Sequence, residues 1–325
     1  MKTHPKLIAP INNLGYGVAG YNLFKNLLAL DRTAALYPIS KPEFIDSAIQ
    51  LGLQNRRDQT VKPCVKIWHQ NDLFQFVGHG EHIGFPIFEL TECNQQGWTC
   101  PPVHVVPLGV DTDLFKPHLS SRPQTVFFNC GKWEKRKGHD VLLECFNNAF
   151  TQKDNVELWM MCENPFIGED NQKWIDLYKS SQLGSKIRII PRQQTHKDVY
   201  NIMRQTDCGI FPARAEGWNL ELLEMMACGK TVIATNYSAH TEFCNLDNTM
   251  LIEPDGLEQA KDGVFFSGDY GQWASLGHDS KGQLVNHMRA FHKDKQTQHK
   301  LNNAGVDTAN IFTWQNSTQR LIDGL

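Results

Sequence analysis

Residues 214–235, RAEGWNLELLEMMACGKTVIAT, decide how this chain folds. The apolar run DCGIFPA precedes them and predicts a buried strand, and the closing KTVIAT predicts a second strand. Between the two, Leu220, Leu223 and Ala227 recur at helical spacing, which predicts a helix over about 218–228. A strand, a helix and a second strand in this order form the βαβ unit of a parallel sheet. The sequence therefore predicts an α/β fold.

Two carboxylates flank the start of this predicted helix. Glu224 falls on the apolar stripe, where a buried charge needs hydrogen-bond donors. Glu216 lies just before the helix, where the positive end of the dipole favours an acid. Ligands of such sheets bind beyond the carboxyl ends of the strands, and carboxylates accept hydrogen bonds from hydroxyl groups. The pair predicts a site for a polyhydroxylated ligand.

A basic loop, GKWEKRKGHD at 131–140, follows another predicted strand and leads into a helix. It carries Lys132, Lys135, Arg136 and Lys137. Helix N-termini bind phosphate through free amides, and cations reinforce that binding. A solvated basic loop is the alternative for this segment taken alone. Cations for phosphates beside acids for hydroxyls, at one edge of a sheet, favour a nucleotide-sugar site.

Predicted strands and helices alternate along the whole chain, which favours parallel sheets with covered faces. The strands are predicted at 6–11, 34–39, 64–69, 84–90, 104–108, 125–131, 155–162, 187–190 and 207–213. The segment 109–124, rich in Pro, Ser and Asp, is interpreted as an interdomain linker. Residues 253–280 are interpreted as mostly loop, with a short strand at 264–266.

The string GYGVAG, with Gly15, Gly17 and Gly20, matches the GxGxxG pattern. A dinucleotide site needs an acid about 20 residues further on, at the end of the second strand. The first acid after that strand is Glu43, so a nicotinamide site is disfavoured. A loop that lets a ligand or the other domain approach closely is the favoured interpretation, and a helix-start turn without contacts is the alternative.

Other polar motifs carry weaker predictions. Asp111 and Asp113 form a DxD triplet, but acids that form turns are common after a strand, so no metal is predicted there. His69 ends a predicted strand, and it is either a ligand contact or a structural histidine. His79 and His82 lack further metal ligands nearby in the sequence.

Composition narrows the class of protein. A net charge of −3 gives no broad attraction to nucleic acid or anionic membranes. Nine dispersed cysteines without a CxxC pair are typical of a reduced cytosolic protein. The N-terminus lacks the apolar run of a signal peptide, and no stretch approaches about 20 apolar residues. These features predict a cytoplasmic protein without a membrane span.

The stretch RAEGWNLELLEMMACGKTVIATNYSAHTEF resembles the signature of retaining family 4 glycosyltransferases, which have the GT-B fold. The strings VVPLGVDTDLFKP, NCGKWEKRKGHDVLLECF and FTWQNSTQRL resemble further blocks of that family, so the resemblance covers about 102–325. It implies two Rossmann-like parallel-sheet domains that face a cleft, with a compact N-terminal domain. The expected boundaries are 1–115 for the acceptor-side domain, 116–308 for the nucleotide-sugar domain, and 309–325 for a helix that crosses back to the first.

The resemblance also implies roles for individual residues. Lys137, and Lys132 where the family usually has Arg, would bind the donor diphosphate. Glu224 would hold the ribose hydroxyls, and Glu216 would contact the donor sugar. The resemblance further implies that the backbone amides of Trp218, Asn219 and Leu220 meet the distal phosphate and that Pro191 and Arg192 approach the base. The predicted catalytic residues are Glu216, Lys137, Lys132 and His69, and Gly15 and Gly17 are added to the predicted donor-binding residues.

The implied chemistry is transfer of a sugar, with retention of configuration and without a metal or cofactor. The donor would be a nucleoside-diphosphate sugar such as a UDP- or GDP-sugar. The acceptor would be a hydroxyl of a glycan, a lipid, a small molecule or a modified base. The leaving phosphate would take the acceptor's proton while the cations stabilise the departing diphosphate.

Two departures from the family pattern leave alternatives open. Many members carry a histidine where this chain has Glu89, Thr91 and Glu92, and the segment 92–101 is short. The chain is therefore alternatively a catalytically impaired nucleotide-sugar-binding protein, or a glycosyltransferase acting on a hydroxymethylated DNA base. The sequence names neither the donor nor the acceptor, and it leaves the oligomeric state unknown.

Overall fold

The computed structural model describes residues 5–57, 61–69, 72–87, 103–297 and 300–325. The described chain divides into two compact units. The first holds the described residues up to Asp111 together with Ile311–Leu325, and the second holds the described residues of Thr112–Asn310. The expected domain boundaries at 115 and 308 stay predictions. The predicted family departures at Glu89, Thr91 and Glu92 lie outside the described residues.

The strands, in chain order, are β1 (Lys6–Ala9), β2 (Leu36–Pro38), β3 (Cys64–Ile67), β4 (His82–Phe85), β5 (Thr125–Cys130), β6 (Val156–Met161), β7 (Ile187–Ile189), β8 (Cys208–Phe211), β9 (Thr231–Thr235), β10 (Met250–Ile252), β11 (Gly256–Lys261) and β12 (Ser267–Ser275). The helices are α1 (Gly15–Leu30), α2 (Ser47–Gln54), α3 (His139–Ala149), α4 (Asp170–Lys179), α5 (His196–Met203), α6 (Leu220–Ala227), α7 (His278–Thr297), α8 (Asn303–Ile311) and α9 (Trp314–Asp323).

The first unit contains a parallel sheet in the order β2-β1-β3-β4. Leu7 of β1 pairs with Leu36 on one side and Val65 on the other, and all three side chains are buried. Helix α9 packs on α1 within this unit. The α/β alternation predicted for this half is therefore present.

One strand predicted in the first unit is wrong. Residues 104–108, all of which the structure describes, form no strand, and an isolated bridge joins Val110 to Thr313. Leu108 is buried but Val105 is 68% exposed, so the segment does not have the cover on both faces that a central parallel strand needs. The predicted strand at 84–90 lies partly outside the described residues, and β4 occupies 82–85.

The glycines of GYGVAG serve packing inside the first unit. A Cβ atom at Gly17 would lie 2.5 Å from the backbone nitrogen of Asn12, and one at Gly20 would lie 2.6 Å from Cβ of Ala9. A Cβ at Gly15 would meet nothing within 4 Å. The close approach that these glycines allow is thus between α1 and the chain around β1.

The second unit contains a six-stranded parallel sheet in the order β10-β9-β8-β5-β6-β7. Its core gathers Phe127, Leu158 and Ile210 from three neighbouring strands with Leu142 and Phe146 from α3. Because β5 and β8 are adjacent, the loops that follow them meet at one edge of the sheet. Both motifs singled out in the sequence lie on those two loops.

Several elements of the second unit differ from the expectation, among them β10 and α8, which were not predicted. Residues 256–275 form the antiparallel hairpin β11–β12, and the residues 264–266 that were predicted as a strand lie in its turn. Asp262 Oδ1 closes this turn by accepting from the backbone nitrogens of Val264, Phe265 and Phe266 at 2.8–2.9 Å. Helix α4 was not expected either.

The described cysteines and helices relate to the prediction of a reduced protein without a membrane span. Within the described part of the chain, seven cysteines are present, and all of them are buried free thiols. None of the helices that the structure describes is long and apolar enough to cross a membrane.

Candidate active site

The candidate site is built on the loops that follow β5 and β8. Gly131 and Gly138 at the ends of the first loop adopt φ of 149° and 71°, which side-chain-bearing residues rarely adopt. A Cβ atom at Gly138 would overlap the carbonyl oxygen of Pro212, which directly follows β8. Glycine at this position therefore lets the basic loop lie directly against the glutamate loop.

Glu216 joins the two loops. Its Oε1 lies 2.7 Å from Nζ of Lys137, and its Oε2 lies 2.8 Å from Nη1 of Arg136. All three side chains are buried. The structure thus brings together the predicted catalytic pair Glu216 and Lys137, and it adds Arg136 as a second partner of the carboxylate.

The ion pairs continue along the basic loop. Glu134 Oε2 lies 2.8 Å from Nη2 of Arg136, and its Oε1 lies 2.9 Å from Nζ of Lys132. We call the sequence Lys132, Glu134, Arg136, Glu216 and Lys137 the charge ladder. Its signs alternate, and it holds three cations against two anions. The predicted diphosphate ligands Lys132 and Lys137 are its two ends.

Burial and ion pairing compete within the charge ladder. Burial alone would raise the pKa of Glu216, but Lys137 and Arg136 outweigh it and hold that pKa well below the usual range. Burial would lower the pKa of Lys137, and Glu216 more than reverses this. The pKa of Glu134 is lowered too, because Arg136 and Lys132 overcome the effect of its burial. Glu216, Glu134 and Lys137 are therefore charged at neutral pH.

Backbone contacts fix the position of Glu216. Its backbone nitrogen donates to Oγ of Ser238 at 2.9 Å, from the short 3₁₀ helix Ser238–Glu242 that follows β9. Arg136 Nη1 also donates to the carbonyl oxygen of Ala215 at 2.7 Å. The carboxylate is consequently held by both its main chain and its ion pairs.

A neutral histidine, His139, holds the basic loop through hydrogen bonds. His139, the first residue of α3, is fully buried, and burial is the main cause that lowers its pKa to about 3. Its Nδ1 accepts from the backbone nitrogen of Glu134 at 3.1 Å, and its Nε2 donates to Oδ1 of Asn129 at 3.0 Å. The imidazole therefore ties the loop to β5 without adding charge.

Position 219 is the N-cap of α6, and its conformation and contacts account for the asparagine found there. Asn219 adopts φ of 77°, a left-handed conformation that asparagine tolerates. Its Oδ1 accepts from the backbone nitrogen of Leu222 at 3.2 Å, and its Nδ2 donates to Nε2 of His240 at 2.9 Å. Trp218 packs on Phe243 with ring centroids 5.0 Å apart. The predicted phosphate-binding segment Trp218, Asn219 and Leu220 is thus a capped helix start.

Glu224 lies on the buried face of α6, as its place in the apolar stripe predicts. Nδ1 of His196 lies 3.8 Å from its Oε1. The pKa of the Cys130 thiol, at the end of β5, is raised by burial and, less strongly, by the charges of Glu221 and Glu224, while Lys137 lowers it. Glu224 and Lys137 therefore both lie near the carboxyl end of the same strand.

The other predicted site residues lie elsewhere. Pro191 and Arg192 follow β7, two strands from β5 at the same edge of the sheet, and the Arg192 backbone nitrogen donates to Glu163 at 3.2 Å. His69 follows β3 in the first unit, with its ring centroid 4.7 Å from that of Tyr16. Gly15 and Gly17 also belong to the first unit. Their binding roles stay predictions.

No group of three or more His, Cys, Asp or Glu side chains within the described ranges is placed to hold a metal ion.

Two parallel-sheet α/β units of this kind define the GT-B fold. Residues 110–264 match the family model described as glycosyl transferases group 1, which covers a little under half of the chain. The match includes both loops of the candidate site. A search of curated proteins finds no significant match.

Solved structures with the same fold cover nearly the whole chain. A glycosyltransferase from Rickettsia africae ESF-5 is 13% identical, with a TM-score of 0.70 and coverage of 98% of this chain and 97% of that one. WaaG, a glycosyltransferase involved in lipopolysaccharide biosynthesis, is 13% identical, with a TM-score of 0.62 and the same coverage of both chains. HepE from Anabaena, in complex with UDP and glucose, is 13% identical, with a TM-score of 0.59 and 99% of each chain covered. Identities this low establish the fold only.

Proposed function

We propose that this protein is a retaining, metal-independent glycosyltransferase that moves a sugar from a nucleoside-diphosphate sugar to an acceptor hydroxyl. The GT-B fold and the match to the group 1 glycosyl transferase model support this proposal. HepE has been solved with UDP-glucose, which makes a UDP-hexose the first donor to test. A cytoplasmic location stays a prediction from the cysteine pattern.

The observation that carries the proposal is the buried contact between Lys137 and Glu216, 2.7 Å apart at the carboxyl edge of the sheet. The charge ladder has one more cation than anions, so it can accept a dianionic diphosphate. Lys137 and Lys132 would stabilise the charge that develops on the leaving diphosphate. Glu216, held ionised by Arg136, would accept hydrogen bonds from the donor sugar.

Donor binding would rearrange the end of the charge ladder. Lys137 can turn towards the diphosphate because Arg136 still holds the other oxygen of Glu216 at 2.8 Å. The ribose would be held by Glu224 on α6, and the distal phosphate by the backbone amides at 218–220. The leaving phosphate would take the acceptor's proton, so no separate protein base is required.

The proposal is tested by incubating the protein with a panel of nucleotide sugars and measuring the nucleoside diphosphate released. Lys137→Ala should raise the dissociation constant of the donor about tenfold or more, because a charge-assisted contact contributes about 1.5–3 kcal/mol. The matched control is Lys135→Ala, which removes an exposed lysine of the same loop. It should bind the donor as the unmodified protein does.

Equal donor affinity in the unmodified protein and in Lys137→Ala would remove the phosphate-binding role. Absence of turnover with every donor, from protein that is folded, would contradict the transferase assignment.

A nucleotide-sugar-binding protein without transferase activity is the second candidate. It is favoured by Glu89, Thr91 and Glu92, which stand where many members of the resembling family carry a histidine. Calorimetric binding of a donor, without release of nucleoside diphosphate in the presence of any acceptor, would select this candidate. Release of the diphosphate would eliminate it.

A further inference from the structure

A polar cavity lies at the amino-terminal edge of the six-stranded sheet, opposite the edge that carries the charge ladder. It is formed by residues 118–122, which precede β5, and by residues 201–205, which end α5 and precede β8. Its volume is about 450 Å³. Its lining includes His118, Ser121, Arg122, Arg204 and Gln205.

The lining of this cavity is basic and includes no carboxylate. Nη2 of Arg122 donates to Oε1 of Gln205 at 2.8 Å, and its guanidinium lies over the ring of Trp159. The Arg204 guanidinium lies 5.9 Å from the centroid of Tyr200. Among the residues that the structure describes, neither arginine forms an ion pair. Two guanidinium groups therefore share a concave surface without a neutralising anion.

A buried lysine adds a further positive charge beneath the cavity. Nζ of Lys230 donates to the carbonyl oxygens of His118 at 2.6 Å and Arg204 at 3.0 Å. Burial, and then the charges of Arg204 and Lys230, lower the pKa of the His118 imidazole. The buried carboxylate of Asp207, near Lys230, is paired with Lys295 at 2.6 Å. The positive surplus at this edge is thus not cancelled by that acid.

We propose that this cavity binds the dianion of a small phosphate monoester or of inorganic phosphate, separately from the nucleotide-sugar site. Guanidinium groups match the geometry of phosphate oxygens and bind them through two parallel hydrogen bonds. The hydroxyl of Ser121 and the imidazole of His118 supply further polar partners at the cavity wall. The lack of lining carboxylates disfavours a cationic ligand.

This proposal does not depend on the transferase activity. The residues of the charge ladder lie on the loops that follow β5 and β8, whereas the residues that line the cavity come just before the same two strands. Substitutions in one location can therefore be used as controls for the other.

The experiment titrates inorganic phosphate, and separately glycerol 2-phosphate, into the full-length protein by calorimetry at constant ionic strength set with chloride. The test variant is Arg122→Gln combined with Arg204→Gln. The matched control is Arg188→Gln, because Arg188 lies over the same Trp159 ring at 4.6 Å but does not line the cavity. Lys137→Ala reports any phosphate bound at the charge ladder instead.

We expect the dissociation constant of phosphate to rise at least about tenfold in the double variant, because two charge-assisted contacts are lost. It should not change in Arg188→Gln or Lys137→Ala. Tighter binding of glycerol 2-phosphate than of phosphate would identify an ester as the ligand, and weaker binding would identify free phosphate.

Loss of binding in Lys137→Ala alone would place the phosphate at the charge ladder and overturn the proposal. Equal affinity in the double variant and in Arg188→Gln would overturn it as well. Ser121→Asp provides an independent test, because this exposed position accepts a charge without loss of packing. It should weaken phosphate binding at least tenfold, and unchanged binding in it would contradict the cavity as the site.

Discussion

The loops that follow the central strands β1 and β5 occupy equivalent places in the two sheets, but they are built in different ways. The loop after β1 leads into α1 through glycines, and its closest approaches are steric, between Gly17 and Asn12 and between Gly20 and Ala9. The loop after β5 leads into α3 through the charge ladder, with Arg136 and Lys137 buried against Glu216. One loop is fixed by the absence of side chains and the other by opposite charges.

This difference shows what parallel-sheet topology does and does not determine. It brings the loops after neighbouring strands to one edge, which is where ligands of such sheets bind. It does not decide which loop carries charge. In the first unit the glycine string alone does not establish a ligand site, whereas in the second unit several charged side chains meet across two loops.

Arg136→Met should have the largest effect on this comparison. It removes the cation between Glu134 and Glu216 and the hydrogen bond to Ala215, so the buried carboxylates keep only one lysine each. We expect the free energy of opening to fall by about 4 kcal/mol, in the range found when a buried ion pair loses one partner. Native-state hydrogen exchange at the amides of β5 and α3 measures this locally.

Lys135→Met is the control for that experiment, because Lys135 is exposed in the same loop. Its effect should stay below about 1 kcal/mol, as is typical of surface charges. If Arg136→Met were as stable as Lys135→Met, the charge ladder would not be what holds the loop after β5 in place.

Gly17→Ala should have the next largest effect. Alanine normally stabilises a helix relative to glycine, but here its Cβ would lie 2.5 Å from backbone atoms of Asn12. Overpacking against backbone should destabilise the first unit by about 3 kcal/mol, measured by hydrogen exchange in β1 and α1.

Gly15→Ala is the matched partner, because nothing lies within 4 Å of the added Cβ. Its stability should change by less than about 1 kcal/mol. A loss of donor or acceptor binding in this stable variant would show that the loop after β1 also contacts a ligand. The contrast between the loops after β1 and β5 would then weaken. Equal stability of the two alanine variants would refute the steric account of Gly17.

His139 gives the smallest of the three effects, and it depends on pH. Its pKa is lowered to about 3 in the folded protein, against an ordinary value of 6.5. The stability that it contributes is therefore complete above pH 6.5 and is lost as the pH falls from 6.5 towards 3, because only the unfolded chain takes up the proton. Between pH 7 and pH 5 the loss should be about 2 kcal/mol.

The measurement compares urea unfolding of the unmodified protein with that of His139→Gln at both pH values. Between the two pH values, the free energy of unfolding of His139→Gln should fall by about 2 kcal/mol less than that of the unmodified protein. Hydrogen exchange in β1 should be the same in both proteins. An identical pH dependence in both would show that the imidazole is protonated in the folded state or that it is not buried there.

The sequence predicts most of the second unit because its strands are apolar runs and its helices carry regular stripes. The hairpin β11–β12 was missed because glycines such as Gly256, Gly268 and Gly271 resemble loop residues, although all three adopt positive φ within the hairpin. Helix α4 was missed because only Tyr178 is fully buried, whereas Trp174 is partly buried and Leu177 is half exposed, so no continuous buried stripe marks the helix. Patterns of burial cannot reveal elements that bury little.

The candidate site was predictable in part. The residues Glu216 and Lys137 were assigned from loop position, and the structure places them in contact. Arg136 was counted among the loop cations but was given no role, because sequence spacing cannot tell which of four cations meets a carboxylate some 80 residues away. The sequence signal for Arg136 is Glu134, two residues before it in the loop: the structure buries this acid, and a buried acid needs a cation.

The excess of cations in the charge ladder has a consequence for turnover under the proposed function. A nucleoside diphosphate released by transfer carries one more ionisable phosphate oxygen than the sugar nucleotide that entered. Lysines and an arginine that attract the donor will therefore retain this product more firmly. Departure of the spent nucleotide then becomes a slow step of the cycle, and accumulated nucleoside diphosphate acts as a competitive inhibitor.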